Sequence, residues 1–228
     1  MKYIENIKSV ADLNPDYLGF IFYEHSQRNF KGVIPSLPKS IKKTGVFVNE
    51  EVPIVLSTIK KYQLDSVQLH GDESVPYIRE LKSQFSNKIE IIKVVGLNTT
   101  VQFEQLIPFE KEVDYFLFDT KGKNRGGNGV KFDWSILKGY PFTKPFFLSG
   151  GIGPNDVELV KNIKVTGLPI YAIDINSKFE DKPGKKNINK VTKFKNQLDY
   201  EIKNFTQIKA VILDNLVGHL FQNYYFLM

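Results

Sequence analysis

Residues 115–134 read YFLFDTKGKNRGGNGVKFDW. A short apolar run, Tyr115 to Phe118, stops on a carboxylate, Asp119. A loop rich in Gly, Lys and Asn follows, and Phe132-Asp133-Trp134 then resumes an apolar pattern. An acid at the mouth of a buried strand, beside a Gly-rich cationic loop, is where α/β proteins keep reactive groups. Asp also closes many ordinary strands, and Gly-Gly-Asn-Gly is common turn chemistry. The functional reading gains weight because other strand ends carry polar residues too.

Outward from this stretch the pattern repeats. Short apolar runs are expected as strands at Tyr17–Tyr23 (YLGFIFY), Thr44–Val48, Ser66–Leu69, Ile89–Val95, Tyr115–Phe118, Pro145–Leu148 and Ile170–Ile175. YLGFIFY is apolar almost throughout, as a strand buried on both faces should be. Amphipathic helices are expected at Met1–Leu13, Leu37–Lys43, Val52–Gln63, Val75–Phe85, Val101–Glu112, Phe132–Leu137, Pro154–Ile163 and Lys185–Lys203. Strict alternation means βα units on a parallel sheet. The fold class is therefore α/β, with a (β/α)8 TIM barrel preferred over a doubly wound open sheet. Seven strands leave such a barrel lacking its first strand, which should precede Met1, and an unclosed barrel exposes two edges. Residues 1–203 form the barrel domain. Residues 204–228, FTQIKAVILDNLVGHLFQNYYFLM from Phe205 onward, are an apolar tail. It is readable as a helix, as a strand at Ile208–Leu213 filling the gap, or as a segment outside the domain.

Composition narrows the function. The 228 residues contain no cysteine, which removes disulfides, thiolate metal sites and cysteine nucleophiles. Three histidines, His25, His70 and His219, are not at ligand spacing, so no zinc site is expected. No run of ~18 apolar residues spans a membrane, and the N-terminus lacks a signal-peptide core. A cytoplasmic protein is expected. The net charge of +6 comes from scattered lysines, densest from Lys178 to Lys195, without interleaved aromatics. A phosphorylated small molecule suits that charge, and no nucleic-acid or membrane partner is expected. Oligomeric state cannot be read from the chain.

Two turns are candidate anion sites. Ser149-Gly150-Gly151-Ile152-Gly153-Pro154 follows the sixth expected strand, and Asp174-Ile175-Asn176-Ser177 closes the seventh. The last two βα loops of such barrels commonly hold phosphate on backbone N–H groups, with Gly letting the chain approach closely.

In order along the chain, PDYLGFIFYEHSQR, GVFVN, VQLHGDE, FLFDT with GGNGVKFDW, LSGGIGPNDV and AIDINSKFEDKPGKKN resemble the phosphoribosylanthranilate isomerases of tryptophan biosynthesis. Any one piece is common; the ordered set, from Ile4 to Leu198, is specific. The resemblance implies a (β/α)8 isomerase, an aldose–ketose Amadori rearrangement by acid–base chemistry, and no cofactor. It implies Asp119 as the general acid. It implies Arg28 at the anthranilate carboxylate, and Gly150, Gly151, Asn176 and Ser177 at the phosphate. It also implies Gln68, His70 and Asp174 as mouth residues in reach of substrate. His70 reads as a structural mouth residue before a second proton carrier.

The chain departs from that family at one point. The family's base is a cysteine ending the first strand, in a lysine–hydrophobic–cysteine–glycine stretch, just before the segment matching Met1-Lys2-Tyr3. Missing strand and missing base are one gap, expected if the chain starts at an internal methionine. An isomerase with weakened turnover is the leading expectation. Alternatives are another phosphate-binding barrel enzyme, such as an indole-glycerol-phosphate synthase or a pentose-phosphate epimerase, or a non-catalytic phosphate-binding remnant.

Overall fold

The computed structural model describes residues 1–85, 89–97, 102–120, 134–199 and 224–227, with only the backbone described at 120 and 224–227. Eight parallel strands close into a barrel: β1 (Tyr17–Ile21), β2 (Lys42–Phe47), β3 (Ser66–Leu69), β4 (Glu90–Leu97), β5 (Tyr115–Thr120), β6 (Phe146–Leu148), β7 (Ile170–Ile175) and a last strand, Tyr224–Leu227. All seven strands expected from the apolar runs are present. An antiparallel hairpin of β8 (Glu180–Lys182) and β9 (Lys185–Lys186) stands apart from the barrel. The last strand is therefore β10.

The gap expected where a first strand is missing is filled in the structure. β10 pairs in parallel with β1, Tyr17 opposite Phe226, and with β7, Asp174 opposite Phe226. The tail region thus supplies one barrel strand, through YYFL rather than Ile208–Leu213. The physical reason is the edge: β1 and β7 would each present unpaired backbone groups, and a short run rich in aromatic residues satisfies both at once. Residues 204–223 lie outside the described residues.

Helices α1 (Ile4–Ala11), α2 (Val52–Tyr62), α3 (Val75–Ser83), α4 (Val157–Lys164) and α5 (188–199) pack outside the sheet. Each lays an apolar stripe inward, Val52, Val55 and Ile59 from α2 and Val157, Val160 and Ile163 from α4. Pro sits in the first turn of α2 and of α3, where a missing N–H costs nothing, and Ser74 caps α3 by accepting from the Tyr77 N–H. The helix expected at Leu37–Lys43 is absent. Pro35 and Pro38 bias their predecessors away from helix, and Lys42 and Lys43 open β2 instead. The helix expected at Val101–Glu112 is a 3-10 turn, Phe103–Phe109, with Pro108 inside it. Another 3-10 turn, Trp134–Gly139, stands where Phe132–Leu137 was expected.

The barrel interior follows period-two alternation. Tyr17, Val46, Ile92, Val94, Leu117, Phe147 and Ala172 form one buried cluster within it, separate from the larger core between sheet and helices. At the N-terminal end Lys42 Nζ meets Glu90 Oε1 at 2.6 Å and the Tyr17 hydroxyl at 3.2 Å, while Tyr115 stacks on Tyr171 at 4.3 Å. These side chains plug that end. Continuing the alternation, Asp119 follows Leu117 and Asp174 follows Ala172 on the inner face, toward the open C-terminal mouth.

Replacing Phe226 with Pro removes a backbone donor from a strand paired on both sides, which costs ~3 kcal/mol or more. A lowered chemical-denaturation midpoint is expected, and an unchanged one would place this segment outside the barrel.

Candidate active site at the barrel mouth

Strand ends at the C-terminal side bring the expected residues together. Asp119, at the end of β5, lies 3.8 Å through Oδ2 from His70 Nε2, just past β3. Its Oδ1 accepts from the Ser149 hydroxyl, just past β6, at 3.4 Å. Gln68 Nε2 lies 3.4 Å from His70 Nδ1 and sets that ring's orientation. Trp134 Nε1 donates to the Ser149 carbonyl at 3.2 Å and pins the turn. Gly150 and Gly151 have φ of 96° and 70°, a left-handed backbone that glycine adopts without strain, so this turn depends on the Gly-Gly pair.

Asp174 is the most unusual group. Its side chain is 2 % exposed, and neither carboxylate oxygen finds a donor in hydrogen-bond geometry among the described residues. Burial first, and the Asp119 charge second, push its carboxyl up to about 8; the neighbouring Ser149 hydroxyl and the Lys186 charge pull the other way. Gln68 Oε1 is likewise buried without a donor. Buried polar groups are nearly always satisfied, and unsatisfied ones collect where a ligand belongs.

Arg28, in the loop after β1, is braced by Glu180 of β8. Its Nε donates to Glu180 Oε1 at 3.1 Å and Oε2 at 2.9 Å, and Nη2 donates to Oε2 at 2.7 Å. Lys186, fully buried, donates to Glu180 Oε1 at 3.0 Å and to Asn176 Oδ1 at 2.7 Å. Burial would raise the Glu180 carboxyl, but Arg28 and Lys186 together hold it below its usual value. Burial lowers Lys186 to about 8 against the pull of Glu180. The trio carries two cations and one anion, so it retains positive charge toward the mouth. Asn176 therefore spends its side-chain oxygen on Lys186. Asn6 locks the hairpin to α1 by exchanging two hydrogen bonds with the Lys186 backbone, at 2.7 and 2.8 Å.

Comparison with known proteins decides the family. The family model described as N-(5′-phosphoribosyl)anthranilate isomerase matches residues 1–197. The chain belongs to the phosphoribosylanthranilate isomerase family. The N-(5′-phosphoribosyl)anthranilate isomerase of Parabacteroides distasonis is 40% identical over 205 residues, covering 87% of this chain and 90% of that one. That of Phocaeicola vulgatus is 35% identical, covering 89% and 97%. The crystal structure of phosphoribosylanthranilate isomerase from Thermotoga maritima superposes with a TM-score of 0.72 at 29% identity, covering 87% and 95%. A phosphoribosylanthranilate isomerase structure in complex with reduced 1-(o-carboxyphenylamino)-1-deoxyribulose 5-phosphate superposes with a TM-score of 0.69 at 27% identity, covering 86% and 94%.

Of the expected site residues, Asp119, His70, Gln68, Asp174 and the Gly150-Gly151 turn share this family's barrel mouth. Arg28, Asn176 and Ser177 gather around the hairpin at the same end. The Gly-rich loop after Asp119, residues 121–133, lies outside the described residues. Glu180 and Lys186 were not singled out from sequence; the alternating charges of FEDKPGKK were their only signal. The Glu73–Lys93 pair was also missed. Lys93 Nζ reaches Glu73 Oε2 at 2.8 Å and the Gly71 carbonyl at 2.7 Å, fixing the turn that carries His70. No group of three metal-capable side chains occurs among the described residues, and no described helix is long and apolar enough to cross a membrane.

The Asp174 carboxyl sets a pH dependence. Unfolded, it titrates near ~3.9; folded, it holds its proton to about 8. The folded state therefore binds more protons between these values, and stability falls as pH rises through that window. Asp119, Ser149 and Lys186 are the groups that face it. Melting temperature is expected to drop from pH 5 to pH 8, with a shallower drop in Asp174→Asn.

Proposed function

We propose that this chain isomerises N-(5′-phosphoribosyl)anthranilate to the carboxyphenylamino-deoxyribulose phosphate, a step of tryptophan biosynthesis. Family membership supports the reading, and one geometric observation carries it. The Asp119 carboxyl lies at the mouth beside the Ser149–Gly151 turn, so a proton donor and an anion cradle share one rim.

Substrate and product contain the same atoms, so the rearrangement needs proton transfers and no redox partner. Asp119 protonates the furanose ring oxygen. The C1′–O bond then breaks as the anthranilate nitrogen lone pair forms the C1′=N bond of a Schiff base. A proton leaves C2′ to give an enolamine, which tautomerises to the aminoketose. General acid help of this kind contributes ~10²–10⁴-fold. Arg28 receives the anthranilate carboxylate. Glu180 engages its Nε and Nη2 edge and leaves Nη1 as the group that can meet a second carboxylate. The positive balance of Arg28, Glu180 and Lys186 keeps that position attractive to an anion. The phosphate rests on the backbone of Gly150, Gly151, Asn176 and Ser177, whose geometry Gly-Gly permits.

Loss of substrate fluorescence measures turnover. Asp119→Asn is expected to lower kcat by ~10²-fold or more with KM little changed, since a group acting in the transition state is removed. Arg28→Ala is expected to act chiefly on KM. A parent chain that neither turns over the substrate nor binds the reduced product overturns this reading.

A further inference from the structure

A buried ion pair behind the mouth is used by no step described above. Glu73 and Lys93 are 5 % and 7 % exposed, and their charged atoms meet at 2.8 Å. Resting on the proposed isomerase activity, we propose that this pair is a positioning device for the proton transfer: through Gly71 it holds His70 against the Asp119 carboxyl.

The pair stands outside the reaction chamber. Ile92 and Val94 belong to the interior cluster, so Lys93 between them faces away from the axis. Lys93 lies opposite Leu69 in the register and reaches across the end of β3. There its Nζ donates to the Gly71 carbonyl at 2.7 Å. Glu73 accepts from the Gly71 N–H at 2.9 and 3.0 Å and from the Asn49 N–H at 2.8 Å. One carboxylate thus gathers donors from just past β2, from just past β3 and from β4 itself. The N–H and the carbonyl of Gly71 are both taken by the pair. A Cβ at that position would lie 2.6 Å from Asn49 N and from Glu73 Oε1, so only glycine fits so close an approach.

His70 directly precedes this clamped residue, and its own N–H donates to the Phe47 carbonyl at 2.8 Å. Its backbone is therefore fixed on both sides. Gln68 Nε2 lies 3.4 Å from Nδ1; an amide nitrogen only donates, so Nδ1 accepts and the ring proton sits on Nε2. Nε2 stands 3.8 Å from Asp119 Oδ2. Catalytic contacts that are long at rest commonly tighten in the reacting complex. When Asp119 passes its proton to the furanose oxygen, it becomes a carboxylate on a side chain only 14 % exposed, and a preplaced N–H stabilises that charge. A buried ion pair adds little stability over an apolar pair of equal volume. What it supplies is direction, since each charge here fixes a particular backbone group of Gly71. An error of ~1 Å at a reacting group costs ~10²-fold in rate, so the placement of His70 bears on kcat.

The test uses the full 228-residue chain. Turnover per folded molecule, melting temperature and affinity for reduced 1-(o-carboxyphenylamino)-1-deoxyribulose 5-phosphate are measured together. Glu73→Gln keeps an oxygen for the Gly71 and Asn49 N–H groups but loses the charge that holds Lys93. Its kcat should fall by ~10-fold or more, with KM and affinity for the reduced product little changed. Lys93→Met should act in the same direction. It leaves the Glu73 charge buried without its cation, so should it fail to fold, the Glu73→Gln/Lys93→Met double variant, with neither charge, takes its place. His70→Asn alone should lose at least as much kcat as Glu73→Gln. In the His70→Asn background, Glu73→Gln should cost less than about twofold more, because its effect travels through the missing ring. A merely structural pair would lower the melting temperature and leave kcat per folded molecule unchanged, or lower kcat by the same factor with and without His70. Either result overturns the proposal. If the parent turns over the substrate, the isomerase reading survives such a result; a parent without turnover overturns both.

Discussion

Every strand of a buried parallel sheet must find a partner on each side, and this constraint shapes the molecule. Backbone N–H and C=O groups are obligatory hydrogen-bonding groups, and an open edge leaves a row of them idle. The sheet answers by closing on itself, with Tyr224–Leu227 in the seam between β1 and β7. Closure then dictates direction. Along each strand alternate residues face the axis, so once Leu117 and Ala172 fill the interior, Asp119 and Asp174 must face it two residues later. The chemistry of the mouth is a geometric consequence of the ring.

Charge at the mouth is handled in two contrasting ways. The trio of Arg28, Glu180 and Lys186 and the pair of Glu73 and Lys93 are buried but well satisfied, with carboxylates held by two or more donors each. Such groups are inexpensive to keep and rigid, and they fix the loops that frame the opening. Asp174 and the Gln68 oxygen are buried and have no hydrogen-bond donor among the described residues. They sit on inner-face positions of β7 and β3, inside that frame.

Much of this was legible in the sequence because buried parallel strands announce themselves. YLGFIFY and FLF are apolar almost throughout and run into a polar residue, Glu24 or Asp119, and IYAIDI is broken only by Asp174. The Gly-Gly turn was readable from the conformations that only glycine adopts easily. What failed did so for identifiable reasons. Pro35 and Pro38 outweighed a helical pattern before Lys42. Polar β8 and β9 carry no apolar signature, because they pair with each other on the surface side of the mouth. The seam strand was hidden because four residues in an apolar stretch have no period of their own; only the vacancy between β1 and β7 selects them. The bond from Arg28 to Glu180 spans 152 positions, and nothing local to either residue points to the other.

The plug of Tyr17, Lys42, Glu90, Tyr115 and Tyr171 has a consequence for traffic. Stacked rings and an ion pair fill the floor, so among the described residues the way to Asp119 and Asp174 is from the C-terminal mouth. Reactant entry and product exit use the same path and exclude one another. An occupant seated at that mouth corks the vessel and shields the buried acid behind it from water.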